Sequence, residues 1–549
     1  MNPPSGSEKP QIVASDRFLS AFRLIFLALV LAGATYVRIR LLDVPLERDE
    51  GEYAYLGQLL LKGFSPFQLV YSMKLPGVGI VYALIMQIFG ETVRGIHLGL
   101  LAINIANALL VYLLARRLLG RDAAPVSCAT YVILSLSSTV LGVFAHATHL
   151  VVLFSLLAFL ALLRWLENRK TAILFLSGTF LGLAIIMKQH AAILTIFALL
   201  YLIRDAARSD APPPRSQFTA YTLFLTGICL PYALTACWMA VTGNFGTFWF
   251  WTASYSSKYA SKLTLFEGLP VFNDSIGHVV LGPQLPLWLL GALGGGLLFS
   301  SSGRRTDRAF LCGLTVFSFL TVCPGFYFRY HYFITFLPAV ALLTGFAVAT
   351  TERIVSATGW ANPFRFIPLC IFIASAGYGC YQERGYLFSE SPFQVSRTIN
   401  GVNPFPESLQ IARYLREHTS ATDTITIIGS EPQIYFYTGR PAGTSYIYMY
   451  GLMEQQPYAE SMQAEMIRQI DKARSKYIVV VNTPASWLQT QDSPDLIFHW
   501  MAEFLPANYT PVGIIDIPSI TKTEYLWDSQ VAGRIPESVS SVIVYQRKN

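Results

Sequence analysis

The sequence predicts a polytopic α-helical membrane protein of about eleven transmembrane helices, followed by a C-terminal α/β domain. Three observations predict this class. Hydrophobic residues make up 53% of the chain and charged residues only 13%. Apolar stretches of about 15–24 residues recur from Phe18 to Cys380, the length that crosses a roughly 30 Å hydrocarbon core. From Tyr381 to Asn549 the composition turns polar, and strand-like and helix-like patterns alternate. The expected division is therefore residues 1–380 for the membrane domain, with a first external loop at 38–94, and residues 381–549 for a soluble domain.

Taken in order, the predicted spans are 18–37, 95–115, 123–142, 150–165, 171–187, 190–203, 218–240, 278–300, 309–325, 332–350 and 366–380. The first has basic flanks at Arg17 and Arg23 and a small run Ala32-Gly33-Ala34, yet its length and the spans that follow favour an uncleaved anchor. Alternate loops are rich in arginine: Arg116/Arg117/Arg121, Arg164/Arg169/Lys170, Arg204/Arg208/Arg215, Arg304/Arg305/Arg308 and Arg353/Arg365. With Lys9, Arg17 and Arg23 these fall on one side only if the stretch 76–90 does not span, so that stretch is read as a re-entrant or interfacial helix. The positive-inside rule then predicts a multi-pass inner (plasma) membrane protein with a cytoplasmic N-terminus and an extracytoplasmic C-terminal domain. The aromatic loop 243–277, with Phe248, Trp249, Phe250 and Trp251, suits an interfacial helix on the outer face.

In the soluble part, Pro406–His418, residues 453–473 and Leu496–Phe504 read as helices, and Thr424–Ile428, Tyr477–Val481 and Ser541–Tyr545 as strands. That alternation predicts a largely parallel sheet. No glycine-rich phosphate loop follows either buried strand, and no second active site is expected there.

Composition excludes some functions. The net charge of +7 is spread over short loops and is not a nucleic-acid footprint. All seven cysteines lie at or before Cys380, in or beside apolar segments and without a CxxC pair, so neither a soluble-domain disulfide nor a cysteine metal site is expected. His146 and His149 lack convergent partners in the sequence, and no metal site is assigned.

The chemistry-bearing motif is Arg48-Asp49-Glu50-Gly51-Glu52-Tyr53-Ala54-Tyr55, which follows the first span by about a dozen residues. Carboxylates beside a lipid phase are functional candidates. A carboxylate at this point caps the helix that starts near Gly51, or serves as a general base held still by it. Lys74, in Tyr71-Ser72-Met73-Lys74-Leu75-Pro76-Gly77, is an interfacial lysine or a phosphate ligand. Arg329, in Phe328-Arg329-Tyr330-His331-Tyr332, is a headgroup anchor or a planar clamp for a phosphate leaving group.

Together these residues resemble the C-type glycosyltransferases, in the branch of protein O-mannosyltransferases and the lipid A aminoarabinose transferase. The matching pattern is Asp49-Glu50 in the first external loop, Tyr71-x-x-Lys74-x-Pro76 further along, and Arg329-Tyr330-His331-Tyr332 at a late outer span start. Supporting stretches are Ala115–Arg121, Gly182–Lys188, Pro338–Leu343, Ile428–Tyr435 and Tyr437–Arg440, so the likeness extends over most of the chain. The resemblance implies a sugar transferred from a polyprenyl-phosphate carrier to an acceptor hydroxyl on the extracytoplasmic face, with inversion. It implies Asp49, aided by Glu50, as the catalytic pair, and Lys74, Arg329 and Tyr71 as donor-phosphate ligands. Glu52, His149, Lys188 and His331 are candidates for further contacts to donor or acceptor. The partners implied are the lipid-linked sugar, a lipid, glycan or protein acceptor, and membrane lipids, with no nucleic acid. No cofactor is implied, with a divalent metal left open. One departure is Ala147-Thr148-His149-Leu150, where family members often carry an acidic residue, so His149 stands in its place.

Two other classes compete. A transporter or flippase for lipid-linked sugars predicts internal repeats and broken helices at mid-bilayer, whereas the charges here gather at one face. A non-catalytic envelope scaffold leaves Asp49, Lys74 and Arg329 dispensable.

Overall fold

A computed structural model describes residues 9–208, 215–300, 305–357 and 362–548. Arg304, counted above among the loop arginines, lies outside the described residues. Among the described residues, seven helices are long and apolar enough to cross a membrane: Phe18–Arg40, Val93–Leu118, Ala147–Asn168, Gln189–Ala206, Phe218–Val241, Leu337–Ala357 and Phe364–Gln382. Shorter apolar helices occupy Gly77–Phe89, Ala123–Leu136, Thr171–Met187 and Leu285–Phe299. The chain is thus a multi-span helical membrane protein with a small sheet near its C-terminus.

Helix ends follow local chemistry. Of the stretch 278–300, expected as one span, Leu285–Ser300 forms the helix, and its first two residues end the preceding helix Leu265–Val279. Gly282-Pro283 lies at the break, where proline removes a donor and disfavours helix in the residue before it. The stretch 332–350 begins as a 3₁₀ turn over Tyr330–Thr335 before the α-helix Leu337–Ala357, whose Pro338 sits in the first turn where its missing N–H costs nothing.

The chain forms two compact units that cut across the division expected at residue 380. The first comprises Met1–Arg40, Leu100–Leu234 and Ala260–Ser389. Its helices Ala147–Asn168 and Thr171–Met187 pack as a pair, and Leu337–Ala357 lies between Ala123–Leu136 and Leu285–Ser300. The last helix approaches so closely that a Cβ on Gly294 would stand 2.0 Å from the Leu343 carbonyl oxygen. Small residues at helix crossings allow that approach in a medium where hydrophobicity gives helices no reason to associate. Arg23, expected as a loop cation, is buried and bridges Asp122 and Glu352.

The second unit comprises Leu41–Gly99, Thr235–Tyr259 and Glu390–Asn549. The helices Arg48–Leu61 and Gly77–Phe89 pack together, and Gln433–Thr438 packs on the first of them. The aromatic loop is helical from Phe245 to Trp249 and continues as a π turn over Phe250–Tyr255. Five strands form one sheet: β1 (Ile425–Ile428), β2 (Tyr477–Asn482), β3 (Tyr509–Ser519), β4 (Lys522–Trp527) and β5 (Ser541–Arg547), in the order β1-β2-β5-β3-β4. The sheet is mixed rather than largely parallel, because only β1 and β2 run parallel. The expected parallel character fails on a hairpin that sequence patterning hides. β3 carries Pro511 at a register shift against β5 and Pro518 at a second shift against β4. Proline is tolerated at such bulges, but it erases the alternation by which a strand is recognised.

Candidate functional site

The acidic motif opens the helix Arg48–Leu61. Glu47 is its N-cap, with its side chain accepting from the Glu50 N–H at 2.9 Å, while the Glu50 carboxylate accepts from the Glu47 N–H at 3.3 Å. This reciprocal capping box satisfies two of the donors that a helix start leaves open. Glu50 is fully buried, and its other oxygen meets His97 Nε2 at 3.2 Å, with His97 Nδ1 on the Leu42 carbonyl at 2.9 Å. A carbonyl only accepts, so Nδ1 carries a proton. The Nε2–Glu50 contact then holds one proton on either the imidazole or the carboxyl. Burial, followed by the Asp49 and Glu50 charges, pushes Glu47 up to about 8. Of the two expected catalytic carboxylates, Glu50 is therefore committed to building the helix start.

Asp49 and Glu52 are three residues apart and share one face of the helix. Lys74 bridges them, with Nζ 2.7 Å from Asp49 Oδ1 and 2.5 Å from Glu52 Oε2. Ser72 donates to the other Glu52 oxygen and accepts from the Lys74 N–H at 3.1 Å, which fixes the loop that presents the lysine. The Lys74 ammonium also lies 4.6 Å from the Tyr53 ring centre and 5.4 Å from that of Tyr448. Burial opposes its charge, but Asp49 and Glu52 outweigh burial and hold the ammonium well above the ordinary lysine range. The Asp49 side chain keeps 25% exposure and that of Glu52 only 2%, so Asp49 is the carboxylate of this pair that a substrate can reach. An apolar cleft lined by Leu56, Leu60, Phe64, Phe67 and Val70 opens beside Ser72 and Lys74.

Tyr71 faces another way. Its hydroxyl donates to Glu465 at 3.0 Å, and its ring stacks on Trp251. A phosphate contact from Tyr71 requires exchange of that bond.

Within the first unit, Arg329 is exposed at the start of the Tyr330–Thr335 turn, with its guanidinium 5.5 Å from the Tyr327 ring centre. The turn is held by Ser275, which donates to the Phe328 carbonyl at 2.8 Å, and by Tyr330, which donates to Asp274 at 3.0 Å. Lys188 and His331, predicted separately, come together with Nζ 3.3 Å from Nε2. Lys188 also lies 3.9 Å from the Tyr332 ring centre, and His331 stacks on His146 with ring centres 4.1 Å apart. His149 is buried in the first turn of Ala147–Asn168, and its carbonyl accepts from Asn107 at 3.0 Å.

Two contributors escaped sequence reasoning. Tyr448 donates to Asp49 Oδ1 at 3.0 Å across 399 positions. Arg48 donates to the Ser430 carbonyl at 2.5 Å and pairs with the fully buried Glu431 at 2.8 Å, so the Gly429-Ser430-Glu431 stretch anchors the start of the acidic helix. The alternation of Tyr446, Tyr448 and Tyr450 was the available signal.

Comparison with known proteins bears on this architecture. Residues 74–232 match the model of the dolichyl-phosphate-mannose-protein mannosyltransferase family. ArnT from Cupriavidus metallidurans, solved bound to undecaprenyl phosphate, superposes with a TM-score of 0.57 at 14% identity, covering 95% of this chain and 98% of that one. The oligosaccharyltransferase AglB from Archaeoglobus fulgidus, solved with an inhibitory peptide and a dolichol-phosphate, gives 0.55 at 14% identity, covering 96% and 77%. No curated protein sequence matches the chain. The family match and the structural likeness both agree with the resemblance read from the motifs, and the chain has the fold of ArnT and AglB.

Proposed function

We propose that this protein is a membrane glycosyltransferase that moves a sugar from a polyprenyl-phosphate carrier to an acceptor hydroxyl on the extracytoplasmic face. The observation that carries the reading is the accessible Asp49 held by Lys74 beside an apolar cleft. A lipid-linked phosphate needs a cation next to an apolar path, and an acceptor hydroxyl needs a base next to that cation. The relatives' bound undecaprenyl phosphate and dolichol-phosphate support a carrier of that class.

In this reading Asp49 takes the acceptor proton as the acceptor oxygen attacks the anomeric carbon. The bond from that carbon to the phosphate oxygen breaks on the opposite face, so the centre inverts and polyprenyl phosphate leaves. Lys74 and Arg329 stabilise the charge on the leaving phosphate, and fixed cations in a water-poor site are among the strongest catalytic devices. The phosphate competes with Asp49 for Lys74, so donor binding loosens the ion pair that parks the base. Lys188, His331 and His149 are proposed to contact the donor or acceptor, and no cofactor is written into the step.

The test is Asp49→Asn, with Glu50→Gln beside it. Mass spectrometry of envelope glycolipids and glycoproteins in a strain lacking the protein identifies the lost product, and complementation reads the variants. D49N is expected to restore nothing while inserting and folding normally. Full complementation by D49N removes Asp49 as the base and reduces the motif to a helix cap. A reporter fused to the C-terminus is expected to be active outside the cytoplasm, and cytoplasmic activity overturns the face assigned to the reaction.

A further inference from the structure

We propose that Tyr448 is a positioning residue for Asp49, so that the C-terminal part of the chain completes the candidate active site rather than merely following it. The inference rests on the reading of Asp49 as the base.

The geometry is specific. The Tyr448 hydroxyl and the Lys74 ammonium both donate to Oδ1 of Asp49, at 3.0 and 2.7 Å. Two donors on one oxygen fix the rotation of the carboxylate. The Tyr448 ring is placed independently of Asp49. Its irregular segment is tied down on either side by the Tyr71 N–H on the Ser445 carbonyl at 2.9 Å, by Tyr446 on Glu465 at 2.8 Å, and by the Met449 N–H on Ser430 Oγ at 2.8 Å. The ring packs edge-on against Tyr450, whose hydroxyl donates to the Ala485 carbonyl at 2.9 Å. The hydroxyl is therefore delivered to Asp49 by the fold.

Charge chemistry agrees. Burial first, then Asp49 and Glu52, holds the Tyr448 hydroxyl well above the ordinary tyrosine range, so it stays a donor at every working pH. The titratable groups that interact with Asp49 within this unit include Lys74 on its loop, Glu47 at the helix cap, Tyr53 on the same helix, Tyr82 on the helix Gly77–Phe89, and Tyr448, with Glu52 on the other side of Lys74. Of these, Lys74 and Tyr448 donate to the ionised form and favour it.

Tyr448→Phe deletes the bond and keeps the ring. A water-soluble carbodiimide activates only the protonated carboxyl, so modification of Asp49, summed over amine adduct and cross-link to Lys74 and localised by peptide mass spectrometry, reports its protonation against pH. The full-length protein in detergent is used throughout. Y448F is expected to raise the Asp49 midpoint by about one pH unit, since losing a donor to the charged form favours the neutral one. Tyr446→Phe, which loses a comparable bond to Glu465, is expected to leave the midpoint where it was. With undecaprenyl-phosphate-linked mannose as probe, release of undecaprenyl phosphate by Y448F is expected to fall about 10- to 100-fold in kcat with little change in KM. An unmoved midpoint in Y448F overturns the proposal, as does an equal shift in Y446F. Should Y448F fail to fold, 3-fluorotyrosine at 448 makes the hydroxyl a better donor and is expected to lower the midpoint, and no movement overturns the proposal. A wild-type protein that turns over no lipid-linked sugar speaks against the proposed function, and the carbodiimide titration still decides the role of Tyr448.

Discussion

Gly51 sits inside the acidic motif for a reason that a substitution exposes. A Cβ at this position would stand 2.5 Å from the Gln433 nitrogen, 2.7 Å from its Cβ and 2.8 Å from its Cα. Carbon atoms rest at about 3.5–4.0 Å, so Gly51→Ala forces the helix Gln433–Thr438 back by about 1 Å. The obstruction is largely backbone and cannot rotate away. Overpacking of this kind costs about 1–3 kcal/mol, and alanine's better helix propensity returns about 1 kcal/mol. The net expectation is a loss of up to about 2 kcal/mol. The retreat also pulls Ser430 and Glu431 off Arg48, which unsettles the start of the helix bearing Asp49. Thermal unfolding in detergent reads the loss, and carbodiimide cross-linking of Lys74 to Asp49 reads the local disorder. Gly33→Ala is the control: nothing lies within 4 Å of a Cβ there, so it is expected to be neutral or slightly stabilising. A G51A protein as stable as G33A, with undiminished cross-linking, refutes the argument that Gly51 exists to admit the Gln433 backbone.

Carbodiimide treatment of the wild type without added amine is expected to join Lys74 to Asp49 or Glu52 directly, given separations of 2.7 and 2.5 Å, and absence of both isopeptides by mass spectrometry removes the bridge. Glu47→Gln tests a pH effect. With Glu47 held up to about 8 against an unfolded value near 4.5, the folded form binds the extra proton between these limits, so the stability it contributes is full at acid pH and lost as pH rises toward 8. Glutamine keeps the cap acceptor without the titration, so E47Q is expected to lose less thermal stability than wild type between pH 5 and pH 8; parallel losses contradict the assignment. Arg329→Met is expected to weaken undecaprenyl phosphate binding about 10-fold, the loss of one charged hydrogen bond, and unchanged affinity makes Arg329 a headgroup anchor.

The sequence by itself determined the features whose physics is local. Apolar length marked the long membrane helices, and the stretch 76–90, read as a re-entrant or interfacial helix, is a short apolar helix at Gly77–Phe89. β1, β2 and β5 were visible because their β-branched runs are uninterrupted, whereas Pro511 and Pro518 concealed β3, and the polar β4 that pairs with it was missed as well, and with them the mixed topology. The acidic motif marked one turn of helix as the candidate, but adjacent residues on a helix point about 100° apart, and periodicity does not say which of them meets protein and which meets solvent. Tertiary structure decided that Glu50 is consumed by Glu47 and His97, while Asp49 faces Lys74 and Tyr448. It also decided that Tyr71 serves Glu465, and that Lys188 and His331 meet. A side chain's chemistry is written in its residue type, but its partner is set by packing between segments that the chain separates by hundreds of positions.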